Sequence, residues 1–411
     1  MSGARAERLP AYALFAAMLA MAGLPIYIHA PKFYADEYGL SLAALGAVLF
    51  ALRLFDFVQD PVLGWLSEAA RARRALAVGI AVTVLGLSML GLFAVSPPIA
   101  PLAWFAITLT GLFTAFSFLT ISFYAQGVQK AESLPGRGHV RLAAWRETGA
   151  LLGVCLAAVA PTALTGVPPG PFAVFAVGFV AIALLAAAYM RAEWVAVPVE
   201  ANTGFRAVLA DGIARRLLLI ALVNATPVAV TSTLFLFFVE SRLSAPGFEG
   251  PLLLLFFLSA AASAPLWGRA AERFGTKEML VLGMALSIAA FGWAATLGAG
   301  DTLAFAVICI ASGAALGADM TLLSAIFARR MAHVAPGAGQ AFGLWSFVTK
   351  FTLAFAAATL LPLLGAVGFV SGAPDNSEQA LQMLTILYAL VPCALKLIAV
   401  ALLVATPLQE S

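Results

Sequence analysis

Gly64-Trp65-Leu66-Ser67-Glu68, followed by Arg71, Arg73 and Arg74, has a second copy 204 residues further along the chain: Gly268-Arg269-Ala270-Ala271-Glu272-Arg273-Phe274-Gly275-Thr276-Lys277. In both copies a glycine stands four residues before an acid, a basic cluster follows, and a long apolar run leads in. Recurrence at that distance marks an internal repeat, so the chain reads as two like halves. The runs around the two junctions are too apolar for a water-soluble domain. The 411 residues are 63% apolar and 10% charged, with a mean hydropathy of +1.00. Soluble domains carry about 25% charged and 45–50% apolar residues. Twelve membrane helices of about 20 residues need roughly 240 apolar positions, which nearly exhausts the supply.

Apolar runs between charge and Pro/Gly breaks give twelve spans, near 11–31, 41–66, 75–95, 101–128, 141–163, 171–190, 215–239, 251–270, 278–298, 301–328, 338–367 and 380–404. The expected fold class is an all-α polytopic membrane protein with two pseudo-symmetric six-helix bundles, 1–190 and 215–411, joined by a cytoplasmic linker, 191–214. Basic residues cluster on one side of these spans. They are Arg5 and Arg8, Arg71 to Arg74, Lys130 to Arg141, Arg191 to Arg216, Arg269 to Lys277, and Arg329 with Arg330; Lys32 and Arg242 lie on the other side. The positive-inside rule then puts both termini in the cytoplasm. The first residues lack the short apolar core and cleavage site of a signal peptide and read as a cytoplasmic lead-in. The expected location is a plasma membrane of the bacterial inner-membrane type, crossed many times.

Charged side chains inside spans cost at least about 2.5–3.5 kcal/mol each on insertion scales, so each one needs a reason. The second span holds Arg53-Leu54-Phe55-Asp56-Phe57-Val58-Gln59-Asp60-Pro61. Arg53, Asp56 and Asp60 share one helix face, because they are spaced by three and four. Two carboxylates one turn apart, with Gln59 beside them, suit a hard cation; they also suit a shared proton, since like charges so close resist joint ionisation. The structural alternative is an ion-pair cluster in which Arg53 neutralises one Asp. Lys350 sits in an otherwise uncharged run and calls for an acidic partner, Asp56 or Asp60, or else for snorkelling to an interface. Arg146 and Glu147 form either a gate salt bridge or a substrate contact, and Asp319 faces a cavity or caps a tilted helix. Lys396, alone in the last span, snorkels or packs against a carbonyl. Trp104, Trp194 and Trp293 read as interfacial belt residues. Pro25, Pro227 and Pro265 interrupt helices as hinges or kinks. Cys155, Cys309 and Cys393 are apolar fillers, and the scattered His29, His139 and His333 offer no metal spacing.

The repeated junction, Gly64 with Glu68 and Gly268 with Glu272 and Arg273, resembles the cytoplasmic gate motif of the major facilitator superfamily, with Glu where Asp is usual. Arg53-x-x-Asp56-x-x-x-Asp60-Pro61-x-x-Gly64 resembles, more narrowly, the second-helix signature of the glycoside–pentoside–hexuronide:cation symporter family in its melibiose permease-like form. Gly39-Leu40-Ser41, Leu142-x-x-Trp145-Arg146, Gly317-Ala318-Asp319 and Gly343-Leu344-Trp345-x-x-x-x-Lys350 resemble its first, fifth, tenth and eleventh helices in order. The resemblance covers nearly the whole chain. It implies a major facilitator fold, coupling to H+ or Na+, cation ligands at Asp56, Gln59, Asp60 and Ser117, and a substrate cavity with Arg53, Thr120, Tyr124, Arg146, Asp319, Trp345 and Lys350.

The chain departs from the family where sugar is held. The first-helix acid that grips sugar hydroxyls falls on Ala20 and the fourth-helix acid on Thr120, while Tyr124 keeps the aromatic stacking position. Sugar hydroxyls need charge-assisted acceptors to offset desolvation. A less polar or anionic solute therefore becomes more credible beside Arg53, Arg146 and Lys350. The expected function is cation-coupled symport of a small organic solute (sugar, sugar acid or other organic anion) by alternating access. The alternatives are a proton-coupled exporter or drug antiporter, which Gly149-x-x-x-Gly153 and Pro161 faintly echo, and a lysolipid transporter. A non-transporting sensor lacks an output domain, and no nucleophile–base pair or phosphate loop suggests an enzyme. Beyond the coupling ion and the bilayer, the expected partner is a small molecule; no cofactor, no nucleic acid and no second subunit are called for.

Overall fold

The computed structural model describes residues 7–194, 204–370 and 376–408, without the side chains of 24, 25, 27, 28, 42, 57 and 357. Arg5, part of the 191–214 linker and the Pro25 side chain thus lie outside the described residues. Each expected span is helical. α1 (Leu9–Met21) and α2 (Leu24–Tyr38) share the first; α3 (Leu42–Ala69), α4 (Arg74–Phe93), α5 (Pro101–Glu132), α6 (Gly138–Ala163) and α7 (Pro171–Met190) follow. α8 (Gly204–Ala210) is a short linker helix. The second set comprises α9 (Gly212–Phe237), α10 (Glu249–Phe274), α11 (Thr276–Ala294), α12 (Thr302–Ala318) with α13 (Ser324–Val334), α14 (Gly339–Ala366), and α15 (Glu378–Thr385) with α16 (Val391–Val404). Among the described residues, ten helical stretches are long and apolar enough to cross a bilayer, and Leu9–Met21 is a shorter apolar helix. Val58–Phe93 is one stretch that runs through a tight turn at Ala70–Arg73 and serves two expected spans. The protein is an all-helical, multi-pass membrane protein.

Two features were not legible in the sequence. The first span breaks at Ala22-Gly23 into two helices. Three spans contain a π turn, at Phe238–Arg242, Asp319–Leu323 and Ile386–Leu390. α9 and α10 run on through Pro227 and Pro265, so these prolines do not end their helices. Trp194 is no belt residue: it is buried edge-on against Phe15, 5.4 Å between ring centres. Trp293 is exposed, and Trp104 donates its indole N–H to the Gly91 carbonyl at 2.7 Å.

The helices form two compact units, Met1–Val208 with Met331–Ser346, and Leu209–Arg330 with Phe347–Ser411. In the first, α6 lies directly on α1. A Cβ at Gly149 would fall 2.0 Å from the Ala13 carbonyl oxygen, and one at Gly153 would fall 2.3 Å from that of Ala17. Helices in lipid gain little from the hydrophobic effect against each other, so such small-residue faces supply the packing. The glycine pair that echoed an exporter motif therefore has a packing reason. Gly39, at φ 64°, ends α2, and the Ser41 hydroxyl accepts from the Ala44 N–H to start α3.

In the second unit, a Cβ at Gly313 would meet the Phe256 carbonyl at 2.2 Å, and one at Gly317 the Ser263 hydroxyl at 2.3 Å, which sets α12 against α10. Phe238, Phe305 and Tyr388 fill the core beside them, with Phe238 stacked on Tyr388 at 4.2 Å. Its polar ends are capped. Lys277, the last residue of the second motif copy, donates to the carbonyls of Val404 and Thr406 at 3.0 and 2.9 Å, a cation placed at the C-terminus of α16. Asp211 accepts from the Ala214 N–H at 2.7 Å and from Arg330 Nε at 3.0 Å.

Gly149→Val has to separate α1 from α6, and we expect at least about 1–3 kcal/mol of destabilisation, read as a lower melting temperature and poorer recovery of folded protein in detergent. The Arg330 guanidinium holds the Asp211 carboxyl below its ordinary range. Its cap and ion pair therefore stabilise the fold above the ordinary carboxylate value, and this is lost as pH falls through the lowered one. Asp211→Ala is expected to cost about 1 kcal/mol at neutral pH, with the gap to wild type closing in acid.

Candidate functional site

α3 and α5 bring one polar cluster together. Asp56 Oδ1 accepts from Ser117 Oγ at 2.9 Å and from Gln59 Nε2 at 3.2 Å; Gln59 Oε1 in turn accepts from Thr114 Oγ1 at 3.0 Å. Asp56, Gln59 and Ser117 are buried, and Asp60, one turn on, is 0% exposed. Two carboxylates with three neutral oxygens from Gln59, Thr114 and Ser117 are a hard, oxygen-only donor set. It can take a small monovalent cation, or a proton on either carboxylate.

Along the same helix, α3 lies glycine to glycine on the start of α14. A Cβ at Gly64 would fall 2.8 Å from the Gly339 carbonyl oxygen, and one at Gly343 would fall 2.8 Å from that of Asp60. Polar bonds flank this seam. Asp60 Oδ2 accepts from Ser346 Oγ at 2.5 Å. Glu68 accepts from the Gln340 backbone N–H at 2.9 Å and from its amide Nε2 at 2.8 Å. The Glu68 carboxylate thus sits on the N-terminus of α14, where free N–H groups favour an anion.

A third cluster sits on α5 and α6. Arg146 Nε lies 2.8 Å from Glu147 Oε1, which also accepts from Tyr124 OH at 2.9 Å. The guanidinium stands 3.6 Å from the Tyr124 ring centre, and Phe342 lies 5.2 Å from the same ring. Arg146 and Glu147 are both buried. In the second unit, Lys396 of α16 is buried and bonded to Asp319 Oδ2 and, at 2.6 Å, to Asn224 Oδ1 of α9. Lys396 is therefore not snorkelling: it lies on the side-chain carbonyl of Asn224 and on the Asp319 carboxylate. Among the described residues, no three of His, Cys, Asp and Glu gather as a metal-ligand group.

A family model described as MFS/sugar transport protein matches residues 10–410. The chain belongs to that family. It is a transporter and not an enzyme. Its fold is shared with a bacterial homologue of the iron transporter ferroportin in an outward-facing state, at 16% identity and a TM-score of 0.70, covering 96% of this chain and 98% of that one. The same ferroportin homologue soaked with iron matches at 15% identity and a TM-score of 0.71, with the same coverage. The E. coli fucose:proton symporter matches at 16% identity and a TM-score of 0.68, covering 95% and 98%.

Of the residues singled out from sequence, Asp56, Gln59 and Ser117 lie together with Thr114, and Asp60, one turn further along α3, is bonded to Ser346. Tyr124 and Arg146 lie together with Glu147, and Gly64 and Glu68 share the seam. Arg53, Trp345 and Lys350 are half-buried, on α3 and α14. The hydroxyl of Thr120 is buried and takes no hydrogen bond. Asp319 sits in the Lys396 pair of the second unit. Gly268 is buried, but Glu272 and Arg273 are exposed, and the Arg273 guanidinium stands 5.2 Å from the Phe274 ring centre. Thr114, Gln340, Ser346, Gly339 and Asn224 were missed. The spacing of Gly339 and Gly343, small residues four apart in an apolar run, is the one signal that pointed to them. Removing the acid of the buried α6 pair by Glu147→Ala should leave Arg146 poorly compensated in the interior. We expect a loss of roughly 3 kcal/mol, measured as thermal stability in detergent, and much less for Glu147→Gln.

Proposed function

We propose that the protein is a secondary transporter that carries a small organic solute together with H+ or Na+ by alternating access, with the cation on Asp56 and Asp60. The observation that carries this reading is the buried donor set of Asp56, Gln59, Asp60, Thr114 and Ser117. Two carboxylates kept one turn apart inside a bilayer helix are costly, and a cation that comes and goes gives them a purpose. The Asp60–Ser346 bond connects that set to α14. Taking up a cation at Asp60 competes with that bond, so ion occupancy biases the seam formed by Gly64, Gly339 and Gly343. Glu68 on the N-terminus of α14 acts as the cytoplasmic gate contact, broken and remade in each cycle.

For the solute, a sugar, sugar acid or other organic anion fits. Ala20 and Thr120 supply no acid for a hydroxyl-rich ligand, while Arg53 and Lys350 supply positive charge. Arg146 contributes less than its charge suggests, because Glu147 already neutralises it at 2.8 Å. Tyr124 and Trp345 offer aromatic faces, and the bare Thr120 hydroxyl offers a neutral hydrogen-bonding group. Iron is what the ferroportin neighbour's name implies for that protein; we do not extend it to this chain, whose described residues gather no group of three metal-ligating side chains. The protein works as a monomer in a plasma membrane of the bacterial inner-membrane type, with both termini cytoplasmic and no cofactor.

The test is a thermal-shift screen of purified protein against sugars, sugar acids, organic anions, amino acids and lysolipids, in sodium and in potassium, at two pH values. A solute at 100 times its Kd should stabilise the fold by about 2.7 kcal/mol. We expect the hit to strengthen with sodium or acid and to vanish in Asp56→Asn and Asp60→Asn. A hit indifferent to cation and unchanged in both variants would remove the coupling role and bring the exporter and lysolipid readings forward.

A further inference from the structure

We infer that Asp319 is a proton-binding site of the second unit, distinct from the Asp56–Asp60 cluster, and that a proton arriving there breaks its ion pair with Lys396. The two residues lie in Leu209–Arg330 and Phe347–Ser411, the unit that contains neither Asp56 nor Asp60, so the inference stands whether or not those carboxylates carry a cation.

Three spans each contribute one polar side chain to the site. Asn224 comes from α9, Asp319 from the π turn that follows α12, and Lys396 from α16; each is more than nine-tenths buried. Lys396 uses two of its three N–H bonds, on Asp319 Oδ2 and Asn224 Oδ1. Asp319 Oδ1 is the one carboxylate oxygen among the described residues that is buried with no donor. A pair kept only for structure has its remaining lone pairs satisfied, because a buried acceptor without a donor is costly. Glu68 illustrates this with a donor on each oxygen, and so does Asp211. Asp319 Oδ1 is thus the oxygen on which a proton can add.

Among the described residues, Lys396 is the charged side chain that pairs with Asp319. Facing groups from α10 are Ser263 and Trp267, both committed to the Ala314 carbonyl at 3.1 and 2.8 Å. From α11 the close neighbour is Gly283, packed on Ala318. Arg215 and Arg216 of α9, Arg269, Glu272 and Arg273 of α10, and Glu278 of α11 are exposed. Lys277 is half-buried and caps α16, Asp211 is engaged by Arg330, and Cys309 of α12 is ten residues before Asp319. Lys396 is thus the charge whose bond to Asp319 a proton breaks.

The proton step balances simply. A proton from water adds to the Asp319 carboxylate, an O–H bond forms, and the ionic hydrogen bond to Lys396 is lost. Lys396 keeps its own proton and the Asn224 acceptor, so the site passes from net neutral to net positive. A net charge in a poorly polarisable interior drives rearrangement. The element able to rearrange is at hand: the π turn begins at Asp319 and runs to Leu323, and a second one, Ile386–Leu390, ends six residues before Lys396. A π turn holds one more residue than an α turn, so converting one to the other re-registers the helix that follows. Proton occupancy of Asp319 thereby becomes a bias on α13.

The experiment is hydrogen–deuterium exchange on the full-length protein in detergent, from mildly acidic to mildly alkaline buffer, normalised to an unfolded reference at each pH. Wild type is compared with Asp319→Asn, Lys396→Met and the double variant Asp319→Asn/Lys396→Met. We expect acid to raise exchange several-fold across Asp319–Val334 and α16 in wild type, with α4 and α5 unchanged. Asp319→Asn should exchange fast at every pH, and the double variant, with no buried charge to misplace, should fold and lose the pH response. No pH response in wild type, or the same response in the double variant, would overturn the inference. The double variant carries the test alone where a single one fails to fold, and the readout needs no substrate.

Discussion

A carboxylate or ammonium inside a bilayer-spanning helix has no water to solvate it, and the protein must supply what water would have supplied. That constraint organises the polar interior. Asp56 is met by Ser117 and Gln59, Asp60 by Ser346, Glu68 by Gln340, Glu147 by Arg146 and Tyr124, and Lys396 by Asp319 and Asn224. Almost every one of these bonds joins residues far apart in the chain, so the charges that make the helices expensive also specify how the helices are assembled. At Asp319 the solvation is incomplete, since Oδ1 is buried without a donor.

Glycine provides the complementary half of the design. Lipid chains are as apolar as leucine, so helices associate through close contact and through polar bonds. Gly149 and Gly153 let α6 reach the backbone of α1, Gly313 and Gly317 let α12 reach α10, and Gly64 with Gly339 and Gly343 lets α3 reach α14. The third is bordered by two acids, Asp60 and Glu68, bonded to Ser346 and Gln340 of α14.

The two copies of the repeated junction have diverged in use. In the first, Glu68 binds the N-terminus of α14 and Arg74 is buried on Gln126 at 2.6 Å. In the second, Glu272 and Arg273 are exposed while Lys277 caps the end of α16. One short pattern supports a bond to a helix N-terminus in one half and a cap on a helix C-terminus in the other, because a basic or acidic residue at a helix junction can satisfy whichever free backbone group lies near it.

Composition, apolar run length and charge asymmetry sufficed for the class, the helical spans and their repeat, since insertion into lipid depends on local hydrophobicity summed along each segment. The i, i+3, i+7 spacing of Arg53, Asp56 and Asp60 placed the carboxylates on one helix face for the same reason: helical periodicity is local. Tertiary structure alone decided the partners. Thr114, Ser346, Gln340 and Asn224 are ordinary polar residues whose role depends on which helix faces them, and nothing within a span encodes its neighbour. Lys396 shows the limit most clearly. Read alone in the last span it looked like a snorkelling side chain, and only the arrival of Asp319 and Asn224 from two other helices makes it half of a buried ion pair. The π turn that presents Asp319 is likewise a tertiary product, because an extra residue in a turn is tolerated only where packing around it makes good the lost α-helical bonds.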